Sequence, residues 1–246
     1  VGVYDTIFLE KAAELIQQQE EANGPFQFHF LYTTSYHGPF KIPLAHYGYN
    51  TEKVMPHAPE DIKKNKEIQK NLGTFWFSDQ ALGKFIHTMR QVYPDCLFIL
   101  TGDHSVDMSP VLAKTSLMGR DCNIRERHSP VLLFNHRELT PHSFADNTIG
   151  SHMHIAPTIF ELIAPKGFTY YSLYPSLLEK VDHAVSPYHW LKTDAYGEYG
   201  SEFYHPLGDG VPPTALEQGA APYQEERAAW MDLTGYLLRH PELLEK

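Results

Sequence analysis

The stretch Phe98-Ile99-Leu100-Thr101-Gly102-Asp103-His104 constrains the fold more than any other segment. A short apolar run ends abruptly in glycine, a carboxylate and an imidazole. Such a run, bounded by turn signals, predicts a buried strand over 97–101. A strand buried on both faces needs covering layers, so the rest of the chain must supply helices or a second sheet.

Helical patterns are present on both sides of that strand. Apolar residues at 8, 9, 12, 15 and 16 fit one helix face, and Asp5 reads as its N-cap. Asn23-Gly24-Pro25 ends the pattern. A longer helical pattern covers about Ile62 to Val92, with Ala81, Leu82, Phe85, Ile86 and Met89 on one face. Pro94-Asp95 breaks it just before the 97–101 strand. Phe26 to Thr34 alternates, is rich in aromatics and reads as a strand. Pro130 to Phe134 reads as a third, after a charged loop at Arg120 to His128. Ile155 to Ile163 reads as a helix opened by Pro157.

This alternation predicts an α/β fold: a mixed, mostly parallel sheet flanked by helices. Residues 166–213 are rich in Tyr, Gly and Pro, show no sustained period and read as irregular. Leu216 to Leu243 returns to a helical pattern. The predicted organisation is therefore a domain over 1–180, followed by an irregular extension and a C-terminal helix over 181–246.

Composition excludes some functions. The net charge of -10 and the lack of a Lys/Arg cluster argue against nucleic acid as a partner. No apolar run approaches the roughly 20 residues of a membrane span. The two cysteines, Cys96 and Cys122, form no CxxC pair and imply no disulfide framework. The chain opens on Val1 rather than Met, which suggests a piece of a longer protein.

In open α/β sheets, ligands sit outside the carboxyl ends of the strands. Asp103 and His104 follow one predicted strand, and His37, in Ser35-Tyr36-His37-Gly38-Pro39-Phe40, follows another. A carboxylate and a neutral imidazole are good ligands for Zn²⁺ or Mn²⁺. The alternative is an ordinary turn, with Asp103 as its cap and His104 on the surface. His37 could donate to an anionic oxygen or move a proton, or be an inert loop residue. Gly150-Ser151-His152-Met153-His154 precedes a helix whose backbone N–H groups attract anions, the alternative being simple capping.

Together the segments "YTTSYHGPFKIP", "SDQALGKFI", "ILTGDHS", "SPVLLF" and "GSHMHIAPTIFELI" resemble, in order and spacing, the sulfatase-type catalytic domain of the alkaline phosphatase superfamily. The resemblance is greatest to the lipoteichoic acid synthase-like branch and covers about residues 1–180. It implies that Asp103 and His104 hold a divalent metal, Mn²⁺ foremost, with Zn²⁺, Mg²⁺ or Ca²⁺ as alternatives. It implies a substrate-side role for His37, for His152 and for Asp5, which an N-cap role rivals. His154 stands where the family pattern carries Asp.

Members of the family begin with a strand bearing an acidic metal ligand, followed by a Thr, Ser or modified Cys nucleophile. That arrangement does not precede Asp103 here, so no catalytic nucleophile is assigned and one is expected upstream of Val1. The resemblance implies a parent enzyme cleaving or transferring phosphate or sulfate esters, phosphoglycerol transferase-like, on a lipid or glycan substrate. Its partners would be the missing N-terminal part of the same protein and, through upstream helices, the extracytoplasmic face of a bacterial membrane. The 246-residue chain alone is expected to be soluble and inactive. A sulfate-ester hydrolase and a non-catalytic binding module or degenerate fragment are the rival readings.

Overall fold

The computed structural model describes residues 2–23, 27–104, 132–146, 148–207, 212–216 and 223–243. The charged loop expected at 120–128 lies outside them. The chain divides into two compact units, one holding the described residues up to Arg137 and the other those from Glu138 onward. This division falls earlier than the boundary expected near residue 180.

The first unit is built on two helices, α1 (Asp5–Asn23) and α4 (Lys66–Val92). Leu9, Ala12, Ala13 and Ile16 form a stripe at helical spacing on α1. They pack against Ala81, Phe85 and Met89, which recur every fourth residue on α4. Ala13 takes the place that the sequence suggests for Leu15, which is 45% exposed. The 9-12-13-16 stripe fixes the buried face, and Leu15 falls to one side of it.

The expected helix over 62–92 is two helices in the structure. Short α2 (Thr51–Val54) and α3 (Glu60–Lys64) come first, and Asn65 then starts α4 afresh. The Asn65 side chain accepts from the Glu67 and Ile68 N–H groups, satisfying donors that a helix start leaves open. The first half of α4 buries Ile68 and Phe77. Gly73 lets a turn at Leu44–Tyr47 close in, since a Cβ there would lie 2.3 Å from Leu44 Cδ1. Phe77 then meets Tyr47 edge-on, with ring centroids 4.6 Å apart.

After α4 come β1 (Phe98–Thr101) and β2 (Leu132–Asn135), near the predicted strands. They pair antiparallel, Phe98 opposite Asn135. The strand expected over 26–34 is not formed by residues 27–34. Exposure there does alternate, with Phe28, Phe30 and Tyr32 outward. Alternation reports an extended backbone. A strand also requires a ladder with a neighbouring strand, and no sheet among the described residues includes this segment.

The second unit contains α5 (Ile155–Ile163), a five-stranded sheet and α6 (Gln224–Arg239). The strands are β3 (His183–Val185), β4 (His189–Lys192), β5 (Ala195–Glu198), β6 (Phe203–Pro206) and β7 (Thr214–Ala215). They run as a meander in sequence order, each pairing antiparallel with the next. This is the stretch that reads as irregular in the sequence. Every pairing among the described residues is antiparallel, where a mostly parallel sheet was expected. Short connections explain the meander, because parallel neighbours need a long crossover.

Thr158 ties α5 down. Its buried hydroxyl donates to the His154 carbonyl at 2.6 Å and accepts from the Leu177 N–H at 2.9 Å. The sheet core holds Val185, Trp190, Ala195 and Tyr196, each at most 3% exposed.

Candidate active site

Asp103 and His104 stand at the end of β1, both exposed. The Asp103 Oδ1 accepts from the His104 N–H at 2.9 Å. Its Oδ2 lies 3.8 Å from His104 Nε2. The backbone contact folds the carboxylate back on its neighbour, and the second oxygen shares the imidazole's side. One carboxylate oxygen and one ring nitrogen therefore lie close together on two exposed side chains. They match the donor chemistry of Mn²⁺ or Zn²⁺ sites. Among the described residues no group of three His, Cys, Asp or Glu forms a fuller metal site. The pair fits as part of a donor set.

His37 lies on a loop held from both ends. The Tyr36 hydroxyl donates to Asn71 Oδ1 on α4 at 3.0 Å. Burial raises the Tyr36 pKa and the Asn71 bond opposes the rise, so the hydroxyl keeps its proton as donor. Tyr36 also packs on Phe75 and Phe40, with centroids 5.3 and 5.7 Å away. Phe40 adopts φ +50°, a left-handed conformation uncommon outside glycine. The His37 Nδ1 sits 2.7 Å from the Gly38 carbonyl oxygen. A carbonyl only accepts, so Nδ1 carries a proton. In the tautomer with one ring proton, Nε2 then holds the lone pair. No hydrogen bond links His37 to Asp103 among the described residues.

Asp5 is buried at 1% exposure. Its Oδ1 accepts from the backbone N–H groups of Thr34, at 3.1 Å, and Ser35, at 3.0 Å. Its own N–H donates to Ser35 Oγ at 2.8 Å. The carboxylate therefore serves the histidine loop rather than capping its own helix, since Tyr4 supplies the first helical carbonyl.

In the second unit, His152 is exposed and His154 is fully buried. The His154 Nδ1 lies 3.0 Å from both the Ser151 N–H and the Ser151 hydroxyl. Because the amide can only donate, Nδ1 is the acceptor. The proton sits on Nε2, which is buried without a hydrogen-bond partner among the described residues. A residue that sequence reading left unassigned is thus a structural cap at the turn before α5. Burial lowers the His154 pKa, helped by nearby His183 and opposed by the Ser151 bond.

Sequence reading also missed His183. Its ring lies 2.6 Å from Asp182 Oδ1 and 2.8 Å from Glu226 Oε2, and stacks on Tyr223 at 4.4 Å. Burial pulls its pKa down, but the two carboxylates outweigh burial and raise it. The two histidines should therefore give stability opposite pH slopes. The His183 contribution is complete below its unfolded value, about 6.5, and is lost as pH rises through its raised folded value. The His154 contribution is lost as pH falls through about 6.5, because the unfolded chain takes a proton that the folded one refuses. Each slope is limited to about 1.4 kcal/mol per pH unit. Denaturant melts from pH 5 to 9 should show His183→Gln flattening the alkaline side and His154→Gln flattening the acidic side. Unchanged profiles in both variants would contradict the assignment.

Residues 1–164 match the sulfatase family, and the chain belongs to it. The fold is a mixed α/β fold with helices and sheets. It is similar to the crystal structure of the lipoteichoic acid synthase LtaP from Listeria monocytogenes, with a TM-score of 0.64 at 16% identity. That similarity covers 98% of this chain and 59% of the LtaP chain. A comparison with curated proteins gives no match. No helix among the described residues is long and apolar enough to cross a membrane.

Proposed function

We propose that this chain is the C-terminal part of the catalytic domain of a metal-dependent enzyme that cleaves or transfers phosphate esters, in the manner of a phosphoglycerol transferase. One observation carries the reading. In a chain of the sulfatase family, Asp103 and His104 stand exposed and side by side at the end of β1. Asp103 and His104 would hold the divalent metal, Mn²⁺ in the first instance. When bound, such an ion neutralises charge on a transferring group and lowers the pKa of a hydroxyl.

The protein's own groups act around that charge. His37 presents Nε2 outward, with its ring oriented by the Gly38 carbonyl. In its neutral form it can take a proton, and once protonated it donates to an anionic ester oxygen. The nucleophile is assigned to a part of the fold outside these 246 residues, in keeping with the 59% of the LtaP chain that they span. The substrate class is a phosphate ester on a lipid or glycan, met at the extracytoplasmic side of a bacterial membrane.

The test assays the 246-residue chain and the longer gene product side by side, with a chromogenic phosphodiester and a chromogenic sulfate ester. Each is run with Mn²⁺ and with a chelator. The expected result is chelator-sensitive phosphodiester cleavage by the longer product only. Preference for the sulfate ester would point to a sulfatase, and no turnover of either ester would favour a binding module. Metal-dependent turnover by the 246-residue chain would show that its own residues supply the nucleophile.

A further inference from the structure

Asp5 offers an observation that its assignment to substrate leaves unexplained. A residue that contacts substrate must be reachable, yet Asp5 is 1% exposed. The hydrogen bonds of this carboxylate point inward. Oδ1 receives two consecutive backbone N–H groups, those of Thr34 and Ser35, across about thirty residues of sequence. The Asp5 N–H returns a bond to Ser35 Oγ. Three bonds thus join the start of α1 to Thr34 and Ser35, two through their backbone N–H groups and one through the Ser35 hydroxyl. Hydrogen bonds to an ionised acceptor are roughly twice as strong as neutral ones.

The contact is tightened by the residues before Asp5. A Cβ on Gly2 would lie 2.2 Å from Thr34 Oγ1, so any other residue there would force the Thr34 side chain to shift. Two residues after Ser35 comes His37. Between them, Tyr36 is fixed to α4 through Asn71. The backbone leading to His37 is therefore held by α1 through Asp5 and by α4 through Tyr36. Both helices belong to one packed core. A side chain on an otherwise exposed loop acquires a fixed origin by this means, which precise catalytic geometry requires.

We infer that Asp5 is a positioning residue: its buried carboxylate holds Thr34 and Ser35 and so sets where His37 is presented. The inference rests on the proposed role of His37, and it places Asp5 behind the substrate pocket instead of in it. Asn at this position keeps an acceptor oxygen, so it preserves the arrangement in weaker form. Ala removes both acceptor bonds.

The experiment has two arms. In the 246-residue chain, amide hydrogen exchange and the imidazole ¹H–¹⁵N signals of His37 are followed by NMR for Asp5→Ala, Asp5→Asn, Ser35→Ala and Leu9→Ala. Asp5→Ala should speed exchange at Thr34 and Ser35 by on the order of 10–100-fold and shift the His37 signals. Asp5→Asn should restore most of both. Ser35→Ala, which removes the hydroxyl that accepts from the Asp5 N–H, should shift the His37 signals in the same direction but less. Leu9→Ala opens the same core and serves as control. It should lower stability without moving His37. Unmoved His37 signals in Asp5→Ala would overturn the inference, as would Leu9→Ala moving them equally. If Asp5→Ala does not fold, Ser35→Ala decides: unmoved His37 signals there overturn the inference, and a shift upholds it.

In the second arm, the longer gene product carrying Asp5→Ala should lose kcat/KM for the phosphodiester while its Mn²⁺ affinity stays unchanged. A fall in Mn²⁺ affinity would overturn the positioning role. Complete absence of turnover in the unaltered enzyme would refute the proposed function, while the NMR arm would still decide the role of Asp5.

Discussion

Changing Asp103 to Asn is expected to weaken divalent-metal binding at least ~100-fold and to remove nearly all metal-dependent ester turnover in the longer gene product. The size follows from the position. Losing even an outer partner of a metal ligand typically costs ~10–100-fold in affinity, and Asp103 is assigned as a ligand itself. The substitution is nearly isosteric. The Asn oxygen can still accept from the His104 N–H, as Asp103 Oδ1 does at 2.9 Å, so the turn after β1 should survive. What is lost is the negative charge and the second oxygen beside the imidazole. Calorimetric Mn²⁺ titration separates the effect from unfolding. Asp95→Asn is the matched control. It is another exposed aspartate, held by Arg137, and should leave Mn²⁺ binding at the wild-type level. Wild-type Mn²⁺ affinity in Asp103→Asn would remove this residue from the metal site.

The strand that leads to this candidate site was legible in the sequence because its signal is local. An apolar run that stops at Gly102-Asp103-His104 carries both the strand and its chemistry within seven residues. The loop around His37 was legible for the same reason. The helices α1, α4 and α5 showed through their periodicity, although Asn65 divides α3 from α4 with a cap that the continuous apolar pattern hid.

The rest was hidden where contacts are distant or elements short. Asp5 reads as a helix cap because its sequence neighbours are helical, but its partners are Thr34 and Ser35. His183 finds Glu226 more than forty residues away, a pairing that no local pattern announces. The meander is made of strands of two to four residues. Alternation needs about four residues to register at all, so the period-2 signal was too short to see. The reverse occurred at 27–34, where clear alternation marks an extended segment that forms no strand ladder among the described residues. His154 illustrates a further limit. The imidazole takes the capping bond that a carboxylate could make there, accepting from Ser151 at 3.0 Å. The residue type departs from the family pattern while the local hydrogen bond is of a kind that either residue can form.

Removing the Trp190 side chain is expected to cost the second unit about 3–5 kcal/mol of stability, the range for a large buried aromatic replaced by alanine. Trp190 is 1% exposed at the centre of the meander, on β4 opposite Gly197 on β5. The indole lies directly over that glycine. A Cβ at Gly197 would fall 2.5 Å from Trp190 Cε2 and Cζ2, inside any tolerable contact. The side chain also reaches Tyr204 and Tyr223, with ring centroids 6.3 and 5.7 Å away. Tyr223 in turn stacks on His183, whose other edge binds Glu226 at the start of α6. Trp190 is therefore the shared surface on which the sheet and the start of α6 meet. In Trp190→Ala the cavity should loosen both, and the alkaline stability slope assigned to His183 should shrink with them. Gly197→Ala attacks the same contact from the other side by overpacking, at a smaller cost of about 1–3 kcal/mol. Denaturant unfolding followed by circular dichroism, at pH 6 and pH 8, measures all of this. A loss below about 1 kcal/mol in Trp190→Ala would mean that the meander does not depend on this residue for its packing.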